Sequence, residues 1–154
     1  MRKLYVVVLF LICSLYAFPS EKKAALGLGL EWNMNSPHNF AAGAALGFDY
    51  NLTNKIAVGL NLGGSTNFIA AKAIEPYLLF RNYFLENNFG KFFGQADVGA
   101  FLIFEDGYDM YPMALVGLRL GLRKPLGSLF YIEPHGRLGY PFVFGIGLMA
   151  GINF

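Results

Sequence analysis

Phe142-Val143-Phe144-Gly145-Ile146-Gly147-Leu148-Met149-Ala150-Gly151-Ile152-Asn153-Phe154 alternates without a break. Its even positions are Phe, Phe, Ile, Leu, Ala, Ile and Phe; its odd positions are Val, Gly, Gly, Met, Gly and Asn. A period of two puts the even set on one face of a β-strand and the odd set on the other. One face is therefore wholly apolar, Phe142 included, and the other is mostly small or polar. The same split recurs upstream. Ala24, Leu26, Leu28, Leu30 and Trp32 alternate with Ala25, Gly27, Gly29, Glu31 and Asn33, and Phe40, Ala42, Ala44, Leu46, Phe48 and Tyr50 alternate with Ala41, Gly43, Ala45, Gly47 and Asp49. A third strand over residues 55–65 carries Ile56, Val58, Leu60 and Leu62 on its apolar face, and segments 73–85, 91–105, 111–124 and 128–139 bring the number of strands to eight.

The charges decide what encloses what. Within the membrane-crossing span of each strand the even face carries none, whereas the odd face holds Glu31, Asp49, Glu75, Arg81, Asp97, Arg119, Arg123, Glu133 and Arg137. A water-soluble barrel or sandwich would hide the apolar face and wet the charged one. Here the charged face is also the glycine-rich one, as a cramped lumen requires, and the other is a continuous apolar skin. Strands of this length suffice to cross a bilayer when tilted, and only a closed barrel leaves no strand edge unpaired in lipid. The sequence thus predicts an all-β, eight-stranded antiparallel up-and-down transmembrane barrel over residues 24–154. At 154 residues, 55% hydrophobic and 14% charged, the chain is neither disordered nor, beyond residue 17, apolar for long enough to form a spanning helix.

Residues 1–20 have the layout of a cleavable signal peptide. Arg2 and Lys3 precede an apolar run over residues 4–17, followed by Phe18-Pro19-Ser20, so cleavage follows Ala17 or Ser20. The chain's one cysteine, Cys13, lies inside this segment, and Ile12 before it is a poor fit to a lipid-attachment site. Removing Arg2 and Lys3 lowers the basic count from 12 to 10 against 10 acids. A formally neutral mature chain offers no basic patch for nucleic acid.

Short turns at residues 51–54, 86–90 and 124–127 fall on the side of both termini, predicted to be the periplasm; connections at 34–39, 66–72 and 106–110 and around Tyr140-Pro141 face outward. Aromatic residues gather at strand ends. Trp32, Phe40, Phe68, Phe104 and Tyr111 fall at one rim and Tyr50, Phe84, Phe92, Phe130 and Phe154 at the other, where interfacial girdles belong.

With these features the segment 24–154 resembles the small eight-stranded outer-membrane barrels of diderm bacteria, the OmpX, OmpA-barrel and OmpW type. The most specific mark is the terminal strand from Gly147 to Phe154. The resemblance implies that Phe154, Ile152 and Leu148, with Gly147 as the small residue, are read by the barrel-assembly machinery. It also implies an integral, monomeric outer-membrane protein in contact with outer-membrane lipid. The group spans channels, adhesins, anchors and lipid-modifying enzymes, so it implies architecture more than task.

Any chemistry must concentrate in the lumen, which in an eight-stranded barrel is just wide enough for side chains to fill. Hairpin registers counted from the turns oppose Arg81 to Asp97, Asp97 to Arg119 and Arg119 to Glu133, a ladder of alternating charge at one height. Glu75 and Arg137 lie further toward the outer rim and meet across the lumen, with Tyr77, Tyr131 and His135 filling space between them. Two functions fit: a narrow or gated channel for small or hydrophobic solutes lined by this network, or a sealed structural or surface-contact barrel. A lipid-modifying enzyme finds less support. The deacylase kind of barrel carries a His-x-Ser pair, where this chain has His135-Gly136-Arg137, and two histidines, His38 and His135, cannot build a multi-histidine zinc site. No catalytic group, metal or cofactor is expected. Ile74-Glu75-Pro76 recurs as Ile132-Glu133-Pro134, and each proline is expected to mark a bend or bulge because it lacks a ladder donor.

Overall fold

The computed structural model describes residues 23–36, 39–69, 71–105, 107 and 109–154. The signal-peptide reading of residues 1–20, with Cys13, and the loop residues Pro37, His38, Asp106 and Tyr108 lie outside them.

Eight antiparallel strands follow one another around a closed barrel: β1 (Ala24–Ser36), β2 (Asn39–Asn51), β3 (Ile56–Thr66), β4 (Ala71–Asn87), β5 (Gly90–Glu105), β6 (Tyr111–Leu126), β7 (Phe130–Tyr140) and β8 (Phe144–Asn153). Each pairs with its sequence neighbours, and β8 pairs with β1 from Ala25↔Asn153 to Met34↔Phe144. Reciprocal backbone bonds between Ala24 and Phe154, 2.9 and 2.8 Å, extend that closing seam by one residue. No backbone edge remains along it, as a wall facing hydrocarbon requires.

The face partition is as the alternation predicts. Leu28, Leu78, Leu118 and Leu120 are about two-thirds exposed on the outside, whereas Glu31, Asp49, Glu75, Arg81, Asp97, Arg119, Arg123, Glu133 and Arg137 are all buried inside. The predicted rim aromatics Trp32, Phe40, Phe68, Phe104, Tyr111, Phe84 and Phe130 are likewise exposed on the outer surface. Small residues of β3 face large ones of β4, with Ala57 opposite Arg81, Gly59 opposite Leu79, Asn61 opposite Tyr77 and Gly63 opposite Glu75. This pairing lets bulky β4 side chains project across the lumen.

Phe142 departs from its expected place. It precedes β8, is 8% exposed, and packs edge-on against Phe101 with ring centroids 5.3 Å apart, while Val143 turns outward. The chain breaks its period at Pro141 and Phe142, so parity counted from the terminal strand fails there. Together with Ala41, Ala73, Tyr77 and Leu115, these two rings form an apolar cap over the charged interior at the end opposite the termini. A second small cluster, Ala57, Tyr83 and Phe93, sits toward the termini.

The two prolines of the repeated Ile-Glu-Pro motif interrupt ladders without shifting them. Pairing of β4 with β5 skips from Ile74↔Leu102 to Tyr77↔Gly99, and that of β6 with β7 skips from Gly121↔His135 to Lys124↔Ile132, with the same register on both sides. A missing N–H explains a gap; it does not by itself insert a residue. The register shifts fall elsewhere, between Tyr83 and Leu85 and between Met34 and Ser36.

Candidate functional site: the charged lumen

Odd-numbered side chains from β1 to β7 converge at mid-barrel, and β8 makes room for them. Its inward face is Gly145, Gly147, Met149 and Gly151, and a Cβ on Gly147 would stand 2.8 Å from Cε1 of His135. The side chains of β7 thus lie over glycine.

Four guanidiniums organise the interior. Arg81 is held by Glu133 in a two-pronged contact, Nη1 to Oε2 at 2.9 Å and Nη2 to Oε1 at 2.8 Å, and donates twice to Gln95 Oε1. Arg123 grips Asp49 in the same manner and donates from Nε to Glu133 Oε2 at 2.7 Å. Its guanidinium lies 4.2 Å from the ring centre of Tyr131. Arg119 donates to Asp97 at 2.6 Å, to Glu31 and to the Tyr77 hydroxyl. Arg137 donates to Glu75 at 3.1 Å and to Glu31 at 3.4 Å. Gln95 joins the two halves, since its Nε2 donates to Asp97 at 2.6 Å while its oxygen accepts from Arg81. Ser65 completes the upper end by donating to Glu75 at 2.8 Å. One continuous chain of charge-assisted bonds thus runs from Asp49 on β2 to Ser65 on β3 through residues of β7, β4, β5, β6 and β1.

His135 is woven into the network. Its Nδ1 lies 3.2 Å from the Glu133 carbonyl, and because a carbonyl only accepts, Nδ1 donates there; Nε2 is left to accept from Arg119 Nη1 at 2.9 Å.

The expected ladder is corrected in its pairings. Arg81 stands opposite Gln95, Gln95 opposite Arg119, Asp97 opposite Gly117 and Arg119 opposite Arg137. The counts from the turns are off by two residues at β4–β5, where a bulge intervenes, and at β5–β6, and by four at β6–β7, where β6 runs on to Leu126. Asp97 and Arg119 still bond diagonally, and Glu75 does meet Arg137 across the lumen. Arg81 finds Glu133 in place of Asp97, and Arg119 finds Glu31 in place of Glu133. Tyr77 lies beside Arg137 as expected but bonds to Arg119 and Asn61, Tyr131 lies near the termini against Arg123, and His135 lies against Arg119 rather than between Glu75 and Arg137.

Glu31, Asp49, Arg123 and Gln95 are network members that hairpin counting misses. Glu31, Asp49 and Arg123 were visible as inward charges, but their partners lie across the barrel rather than on the next strand.

Two separate cavities flank the network. One of about 410 Å³ opens at the end away from the termini, over the Phe101 and Phe142 cap and beneath Ile69; the other, about 510 Å³, opens at the termini between Lys23, Thr53, Tyr83, Arg123 and Tyr131. Between them the lumen is filled by buried side chains. Gln95 is the most informative single position for testing continuity. Gln95→Leu keeps the volume but strands a donor of Arg81 and an acceptor of Asp97, and is expected to cost about 1–3 kcal/mol in urea unfolding of the reconstituted barrel.

No family model and no curated protein matches the chain. Among solved structures, the N-terminal β-barrel domain of Pseudomonas aeruginosa OprF is similar over 87% of this chain and 98% of that one, with a TM-score of 0.65 at 15% identity. Ail, the attachment invasion locus protein of Yersinia pestis, is similar over 85% of this chain and 95% of its own, with a TM-score of 0.55 at 13% identity. At such identities the likeness is one of fold: this chain is built as an eight-stranded, up-and-down closed barrel of the kind found in small outer-membrane proteins.

Proposed function

We propose that this protein is a monomeric integral outer-membrane barrel with both termini in the periplasm, sealed to ions by its own charges and acting through its outer rim rather than as an open pore. The observation that carries the reading is the continuous chain of paired arginines and carboxylates at mid-height, with separate cavities above and below it. An ion crossing this layer would have to replace its hydration shell with groups already bonded to one another. Lipid contact follows from the apolar outer wall, and Leu148 and Ile152 on that wall, with Phe154 at the closing seam, are the positions the assembly machinery would read. No catalytic chemistry is assigned to it.

The wild-type protein, shown to be folded by its heat-dependent gel mobility, is expected to leave a planar bilayer silent. Reproducible single-channel steps from that same folded material would overturn the sealed reading. They would favour a gated channel for small solutes, which one observation supports: the barrier consists of side chains alone, with no plug domain or inserted loop among the described residues.

A further inference from the structure

The outer wall is not uniformly convex. On the lipid-facing side of β5, β6 and β7, an open groove of about 610 Å³ runs between Phe84 and Phe92 on one flank and Ile146 on the other. Its depth comes from absent side chains. Gly94, Leu120 and Gly136 share one cross-strand row, so the leucine stands between two glycines. Pro134 lies one row nearer the termini, where the β6–β7 ladder is interrupted. Nothing in the protein competes for the space: a Cβ on Gly136 would meet only the Gly145 carbonyl, at 4.0 Å, and one on Gly94 would meet Leu120 at 3.8 Å. Glycine is therefore not demanded here by packing, unlike Gly147 on the inner face.

At the terminus-side end of the groove the surface turns basic. Lys124 is exposed on the same outward face of β6, two residues beyond Leu122 and four beyond Leu120, a reach of about 13 Å at strand rise. No described carboxylate pairs with it, and the exposed acid at that end, Glu86, is taken by Lys91 at 3.3 Å. A lysine at a strand end extends its ammonium into the headgroup layer while its stem stays against apolar surface.

An apolar trough with an unpaired ammonium just beyond its terminus-side end is complementary to an anionic amphiphile. We propose that the groove is a binding site for an anionic glycerophospholipid of the periplasmic leaflet, with one acyl chain lying over Gly136 and Pro134 and the phosphate held by Lys124. The inference rests on the membrane placement and orientation proposed above. It goes beyond them in assigning a specific lipid to one sector of the wall.

The test is native mass spectrometry of the protein extracted from its membrane and exchanged into micelles holding equal amounts of phosphatidylglycerol and phosphatidylcholine, each with one palmitoyl and one oleoyl chain. The wild type is expected to retain one phosphatidylglycerol about fivefold in preference to phosphatidylcholine, the factor one lysine contributes beside anionic lipid. Lys124→Gln is expected to erase the preference while still retaining lipid. Gly136→Phe, which fills the trough without touching the lumen, is expected to abolish retention of both with the heat-dependent gel shift intact. Equal retention of the two lipids by the wild type, or unchanged retention by Gly136→Phe, overturns the site while leaving the membrane barrel standing. A Gly136→Phe protein that changes its oligomeric state in place of its bound lipid also overturns it, making the groove a contact between copies. Failure of the wild type to fractionate with membranes removes the site and the placement together.

Discussion

Glu133→Ala is expected to destabilise the barrel by about 3–5 kcal/mol, read as a lowered urea midpoint at unchanged slope, and to turn a silent bilayer into one that passes current. Glu133 is shared by two guanidiniums, Arg81 through both oxygens and Arg123 through Oε2. Its removal leaves Asp49 as the one carboxylate for both cations, bonded to Arg123 and 3.6 Å from Arg81, in a layer where each is almost fully shielded from water. An unpaired buried charge retains its desolvation cost and loses the attraction that offset it. The lumen answers by admitting water and counterions, so the current should favour anions. Glu133→Gln separates charge from shape: it fills the same space and keeps an acceptor, and should recover part of the stability but not the silence. A Glu133→Ala barrel with wild-type stability and no conductance would show that the network is decoration on a lumen sealed by packing alone.

Gly147→Val is expected to cost about 1–3 kcal/mol and to slow refolding into lipid vesicles, by overpacking at the point where the His135 ring of β7 lies over β8. A Cβ there would meet the His135 ring at Cε1 and also the Leu30 carbonyl, at 2.8 and 3.0 Å. The ring cannot simply withdraw, because its two nitrogens are tied to Glu133 and Arg119. Gly147→Val combined with His135→Ala relieves the side-chain clash and should restore much of the loss in vitro. This pair also distinguishes packing from recognition by the assembly machinery. If glycine is read during biogenesis, the double variant refolds from urea yet still fails to reach the membrane in cells. If the double variant refolds no better than the single one, the clash with His135 is not the cause.

Much of this architecture is legible in the chain because strand alternation is a property of neighbours. Each of Leu28, Leu30 and Trp32 is placed outside, and Glu31 inside, by the residues immediately before and after it, with no knowledge of the partner strand. The same locality explains the error at Phe142: the parity of β8 was carried across Pro141, where the strand has already ended, and the ring turned into the lumen against Phe101. Hairpin registers are less secure, because a turn can close one residue earlier or later and a bulge such as that between Tyr83 and Leu85 shifts the count. An error of two residues preserves the face and changes the partner. The inward set therefore survives a count that sets Arg81 opposite Asp97 instead of Gln95, whereas the Arg81–Glu133 contact crosses the lumen and lies beyond any hairpin count.

The number of strands, the inward and outward faces, and the nearly balanced charge of the interior are all legible in residue order alone. That order also exposes the glycine-rich inner face of β8, which leaves room for His135 and Tyr131. That Arg119 answers to Glu31 and Asp97, that Arg123 bridges Asp49 and Glu133, and that Gln95 joins the two groups emerges with the closed barrel. The reason is geometric. Face depends on a period of two along one strand, but contact across a lumen depends on how far the sheet is sheared and tilted when its first and last strands meet, a quantity set by all eight strands at once.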